Sequence, residues 1–218
     1  RDLRMSRGLG DVYKRQAFYP VTEGTSVANF SLPINQQSLE NLASADYMTC
    51  TVEDAINEGS GVLHLNMNRR MAKVIMTLDD IDSQSKALGV KIGSYQGYTD
   101  GNVSSGTALV SPYVTIPEGG KAGQSGCKYT AIVAPGAANP NSTFVSLNYK
   151  GEGLVLPGIP AIKAGFCYEF TLKVEGSVIR LSEPIVTPWE TGTINGGDAT
   201  ELQLSLIHIS EPTRHAQI

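Results

Sequence analysis

The stretch Phe166–Val174 alternates without a break. Phe166, Tyr168, Phe170, Leu172 and Val174 fall on one parity, and Cys167, Glu169, Thr171 and Lys173 on the other. Successive side chains of a strand point to opposite faces, so this segment has one apolar and one largely polar face. The period recurs at Val62–Met67, where Leu63, Leu65 and Met67 alternate with His64 and Asn66. It recurs again at Ala72–Leu78, through Ala72, Val74, Met76 and Leu78. A chain built from such segments must stack sheets to bury their apolar faces.

Between the last two segments the apolar parity moves from odd to even. A one-residue slip exchanges the faces of a strand, so a bulge or tight bend is expected over Asn68-Arg69-Arg70-Met71. Further short strands are expected at Ala17–Val21 (with Pro20 suiting an edge), Ser31–Ile34, Leu88–Ile92, Val110–Ile116, Lys128–Val133 and Phe144–Tyr149. Val178–Leu181 and Ile185–Val186, split by Pro184, complete the set. Gln37–Asp46 reads as a helical turn or a loop, and Thr49–Glu58 as either element. Gly93–Gly106 reads as a turn-laden connection, and Glu118–Gly126 and Gly192–Gly197 as loops. Short strands at regular spacing, Gly/Pro turns and little helical periodicity predict an all-β, antiparallel β-sandwich.

The two ends have a different origin. One choice of codons for Leu204–Arg214 has a reverse complement that encodes Ser6–Gln16. Unrelated peptides have no reason to be antisense partners, and the shared DNA resembles the transposon-end adapter of sequencing libraries. Residues 1–16 and 204–218 are therefore read as adapter and set aside. The natural insert is expected to be 17–203, open at both ends.

Setting the ends aside changes the charge. The whole chain carries 17 Lys+Arg and 21 Asp+Glu, a net −4. The insert keeps eleven basic and eighteen acidic residues, a net −7, and His64 is its one histidine. The basic N-terminus thus gives no reason to expect a nucleic-acid partner, and an acidic surface disfavours phosphate polymers. No apolar run approaches the roughly 18 residues of a membrane span. Cys50, Cys127 and Cys167 fit no zinc or CxxC spacing. They read as small buried residues, with a Cys127–Cys167 disulfide as the alternative.

No catalytic residue, cofactor or metal ligand is expected. His64 lies in a strand pattern with no nucleophile elbow near it. Asp79-Asp80-Ile81-Asp82 offers oxygens to calcium but lacks the glycine and distal Glu of an EF-hand, and reads as a charged turn. Gly119-Gly120-Lys121-Ala122-Gly123 lacks the Walker spacing and has no following helix. Glu53, Asp54 and Glu58 read as solvated surface. Arg69-Arg70 reads as a solvated pair or as a cap on carbonyls at the bend. Tyr95, Tyr98, Tyr113 and Tyr149 could supply stacking platforms for a glycan. A hydrolase would need paired acids in a context that is missing.

Five passages occur in a consistent order: Phe18–Val21, Asp46-Tyr47-Met48, Val62–Leu78, Tyr129–Pro135, and Ala164–Val174 with Ile185–Glu190. Together they resemble the Bacteroidetes fimbrillin family of major and minor fimbrial subunits. Arg69 stands where His is common in that family, and Gly136 where Gln is common. The resemblance implies transthyretin-like β-sandwich lobes, with 17–100 the C-terminal part of a first lobe and 101–203 a second. It implies a non-catalytic structural or adhesive subunit of a fimbria-like structure, partnered with other subunits by donor-strand exchange. Surface glycans or proteins of host or bacteria are further possible partners. It also implies lipoprotein export to the cell surface or outer membrane, through a lipid anchor outside this fragment. A surface glycan-binding β-sandwich module is the alternative.

Overall fold

The computed structural model describes residues 15–52, 67–189 and 208–210. Val62–Asn66 with His64, the acidic residues Glu53, Asp54 and Glu58, and Gly192–Gly197 lie outside the described residues. In chain order the elements are β1 (Arg15–Tyr19), β2 (Phe30–Ser31), α1 (Leu39–Ser44), β3 (Met48–Val52), β4 (Asn68–Arg69) and β5 (Ala72–Leu78). There follow β6 (Ala87–Tyr95), β7 (Gly97–Thr99), β8 (Asn102–Val103), β9 (Thr107–Val110), β10 (Tyr113–Thr115) and β11 (Lys128–Val133). The rest are β12 (Asn139–Tyr149), β13 (Glu152–Ile159), β14 (Phe166–Glu175), β15 (Val178–Leu181), β16 (Ile185–Pro188) and β17 (His208–Ser210).

Two sheets form the sandwich. The larger runs β10–β11–β5–β14, with β15 and β16 sharing the far edge of β14; the other runs β13–β12–β6–β9. Every strand pair in them is antiparallel except β5 and β14, which run parallel from Cys167↔Lys73 to Leu172↔Leu78. The alternation in the sequence sets which face turns inward. Ala72, Val74, Met76 and Leu78 of β5 are buried while Lys73, Ile75 and Thr77 are half-buried. On β14, Tyr168, Phe170, Leu172 and Val174 are buried in the same way. Phe170 meets Phe144 of the opposite sheet edge-on, with ring centroids 5.6 Å apart, a geometry that favours aromatic pairs. The sheets are joined at one end by the Tyr95↔Ala134 bridge. There the buried Ser94 hydroxyl accepts from Ala134 N–H at 2.9 Å and donates to the Tyr95 carbonyl at 2.7 Å.

A smaller antiparallel sheet, β17–β1–β3–β4, contains the N-terminal strand. The bend expected at Asn68–Met71 is where the chain leaves it: Arg70 and Met71 separate β4 from β5, which lies in the large sheet. Ser38 caps α1, its hydroxyl accepting from Asn41 N–H at 3.1 Å, so Gln37–Asp46 contains a short helix. Beyond it, Phe30 stacks on Tyr47 at 4.6 Å and Tyr47 tilts against Tyr98 at 5.5 Å.

Several expectations are revised. The division at residue 100 does not coincide with the pairing. β5 and β6 precede it, yet each is an interior strand whose partners follow it: β11 and β14 for β5, β9 and β12 for β6. Gly93–Gly106 is not merely a connection. It holds the hairpin β7–β8, turned by Asp100 and Gly101 at φ 49 and 78, the left-handed conformation an Asp-Gly pair accommodates. Val110–Ile116 is two strands in different sheets, parted by Ser111-Pro112. β13 is additional. It is an edge strand, the position in which Pro157 is compatible with a sheet. The cysteines keep their expected reading: all three are free and buried. Cys167 pairs with Lys73 near the start of β5, whereas the carbonyl of Cys127 accepts from Leu78 N–H at its end. Five residues of strand separate those positions by about 16 Å, beyond the roughly 7 Å a disulfide tolerates.

Candidate functional site

Two features stand out among the described residues: a cluster at the junction of the small and large sheets, and the outer edge of β1.

The junction cluster is assembled from four parts of the chain. Asp46 directly follows the cap of α1, its N–H bound to Ala43 O at 3.1 Å. Arg69 lies on β4 opposite Met48. Lys73 is the second residue of β5 and Trp189 follows β16. The Arg69 Nε stands 3.1 Å from both Asp46 oxygens, and the two side chains are only 15% and 14% exposed. The Arg69 guanidinium lies 4.3 Å from the centroid of the half-buried Trp189 ring, and the Lys73 ammonium 4.8 Å from it. Cations at these distances are attracted by the ring quadrupole. Trp189 is fixed by its backbone N–H, which donates to Gly165 O at 2.8 Å, and Gly165 N–H reaches Met71 O at 2.8 Å. Burial raises the Asp46 pKa above the ordinary carboxylate value, with Arg69 and Lys73 opposing the shift. The Tyr19 phenol is also raised, by burial first and by the Asp46 charge second.

A raised carboxylate pKa gives a definite pH dependence. The stability that Asp46 contributes is fully present below its unfolded value and is lost as pH rises through the folded one. Removing Arg69 takes away the main opposing charge and pushes the Asp46 pKa higher still. Arg69→Ala is therefore expected to destabilise by about 3 kcal/mol at pH 7 and by much less at pH 4, where Asp46 takes up a proton. Urea unfolding at the two pH values measures this; equal losses at both would refute it.

The β1 edge is simpler. One side of β1 pairs with β3, from Arg15↔Val52 to Tyr19↔Met48. The other side pairs with β17, through Gln16↔Ser210, Ala17↔Ile209 and Phe18↔His208. β17 belongs to the segment expected to be adapter.

Of the remaining residues singled out in the sequence, Arg70 and Tyr98 meet, and the others do not form a common site with them. Arg69 is not a solvated arginine, and Arg70 lies 5.0 Å over the Tyr98 ring while its carbonyl accepts from the Tyr98 hydroxyl at 2.7 Å. Tyr98 and Tyr149 are buried, and the half-buried Tyr95 donates to Ala137 O, so these three do not form an exposed platform; Tyr113 lies on β10, half-buried. Asp79 and Asp82 are paired with Lys173 and Lys150, both at 3.4 Å. Hydrogen bonds from Gln84 N–H and then Lys150 hold the Asp82 pKa below its ordinary value. Gly119–Gly123 leads through a turn to β11, not to a helix. Among the described residues no group of three or more His, Cys, Asp or Glu is placed to hold a metal ion. No helix among them is long and apolar enough to cross a membrane. Asp46, Lys73 and Trp189 escaped the sequence reading because they meet only through tertiary topology.

The fold thus defines a two-sheet β-sandwich protein with a smaller N-terminal sheet docked at one end. The chain belongs to the fimbrillin-like family, whose pattern matches residues 13–189. The fold is shared with the crystal structure of a candidate cell adhesion protein from Bacteroides uniformis ATCC 8492. The TM-score is 0.53 at 16% identity, over 82% of this chain and 74% of that one. A candidate cell adhesion protein from Bacteroides ovatus ATCC 8483 gives 0.49 at 11% identity, over 86% and 75%. The tip fimbrial protein Mfa3 from Porphyromonas gingivalis gives 0.41 at 8%, over 66% and 64%. No curated protein matches the sequence. The expected family and the expected all-β sandwich both hold.

Proposed function

We propose that this chain is part of a structural or adhesive subunit of a fimbria-like structure on the bacterial cell surface, acting without catalysis and joined to neighbouring subunits by strand pairing. Membership of the fimbrillin-like family over residues 13–189 is the observation that carries this reading. The edge of β1 supports the mode of assembly. β1 pairs on one side with β3, and the other edge of such a strand offers backbone N–H and C=O groups to an extended partner. A natural partner would be an extended strand of another subunit. In this reading the two-sheet sandwich is the second lobe, β1, β3 and β4 are the end of the first, and Arg70-Met71 is the junction. Export as a lipoprotein to the outer membrane belongs to the same proposal.

Immuno-electron microscopy of cells expressing the parent gene tests the surface role. Label along surface filaments is the expected result, and label confined to the cytosol would sink the reading. The buried tyrosines leave the glycan-binding alternative with no observation in its favour.

A further inference from the structure

Among the described residues, strand β16 is paired on one side only. Its residues pair with Phe166–Glu169 of β14, and all four side chains stand in solvent, Ile185 at 67% and Val186 at 47% exposure. A strand that buries so little apolar surface relies on backbone pairing, and segments of that kind open at low free energy. The next residue supplies what the strand lacks. Trp189 is bonded to Gly165 and lies against the cations of Arg69 and Lys73, and Arg69 is in turn paired with Asp46. One indole therefore ties the last strand of the large sheet to β4 of the small sheet and to β5 at the centre of its own.

We propose that Trp189, with Arg69, Asp46 and Lys73, is a latch that holds β16 on β14, and that its release opens the edge of β14 over Phe166–Glu169. Nothing in the latch depends on the surface role. With Trp189 seated, the backbone groups of β14 on this side are covered by β16. With Trp189 displaced, β16 keeps only its ladder to β14 and its continuity with β15. The small sheet and the C-terminal edge strand are then no longer coupled.

Two native reporters read the latch. Trp189 is the one tryptophan of the chain, so its fluorescence and acrylamide quenching report seating. Cys167 is in register with Lys73 on one side and Thr187 of β16 on the other, and is 7% exposed, so its alkylation reports opening. Cys127, fully buried near the other end of β5, is the control. Arg69→Gln removes both the cation and the ion pair. It is expected to accelerate alkylation of Cys167 about tenfold, read by peptide mapping, and to increase quenching of Trp189, with Cys127 still reacting far more slowly than Cys167. Arg69→Lys should recover part of the protection. Unchanged reactivity of Cys167 would overturn the proposal. So would Cys127 and Cys167 reacting at the same rate, because Cys167 would then be reached through unfolding of the whole fold rather than through a local latch.

Discussion

Replacing Gln36 by leucine is expected to cost about 4 kcal/mol of stability, seen as a lower urea midpoint with an unchanged slope. Gln36 is fully buried, and its amide does the work of a strand. Its Nε2 donates to Ile132 O at 2.8 Å and to Pro33 O at 3.0 Å, while Oε1 accepts from Ile132 N–H at 2.8 Å. The segment around it is stitched on as well, with Gln36 N–H bound to Ser111 O at 2.9 Å and Ser111 N–H to Ile34 O at 2.7 Å. Strand β10 covers β11 only over Lys128–Thr130, and Ile132 lies past its end. Leucine has nearly the same volume, so no cavity opens. The loss comes from leaving Ile132 N–H and two carbonyls without partners, each costing about 1–3 kcal/mol if water cannot reach them. A loss below about 1 kcal/mol would mean that water replaces the amide.

The second large effect is expected at Gly93. An added Cβ there would sit 2.0 Å from the Thr143 carbonyl oxygen, 3.0 Å from its carbon and 3.1 Å from Phe144 Cα. These are backbone atoms of the neighbouring strand, so no side chain can turn away. The close approach falls where β12 pairs irregularly with β13, between Thr143 and Val145. Gly93→Ala must push β6 and β12 apart beside the Ile92↔Val145 pair, and should destabilise by about 3 kcal/mol or more. Gly153→Ala is the matched control. No atom lies within 4 Å of its added Cβ, so that change should be neutral or stabilise by about 0.5 kcal/mol. Thermal or urea unfolding of the pair separates crowding from the loss of a glycine.

Alternation made the central strands legible. β5, β11 and β15 have the expected bounds and β14 differs by one residue; in β5 and β14 the apolar residues that bury one face had to keep period two. Where a strand is short or half wet, that pressure lapses. β13 carries Val155 at 65% exposure and a proline, and its pattern says little. β7 and β8 are three and two residues long, too short for a period. The position of residue 100 within the fold was illegible for a different reason. Which strands share a sheet is decided by long-range pairing, and a local pattern carries no record of it. The same applies to the junction. Arg69 looked like a surface residue because nothing near it in sequence shows that Trp189, 120 positions later, covers it. Gln36 shows the converse, an ordinary polar residue in a loop whose importance arises from Ile132, 96 residues away.

The parallel pair β5–β14 has a consequence for how the protein is made. Lys73 is paired with Cys167, 94 residues further along the chain. During synthesis β5 therefore emerges with one lateral partner, β11, and waits for the other until nearly the whole sandwich has left the ribosome. Over that interval one edge of β5 stays unpaired, the state in which a strand is most open to wrong partners. A nascent chain stopped short of β14 would lack the strand that pairs with the second edge of β5, so the central pairing of the large sheet is among the last to form.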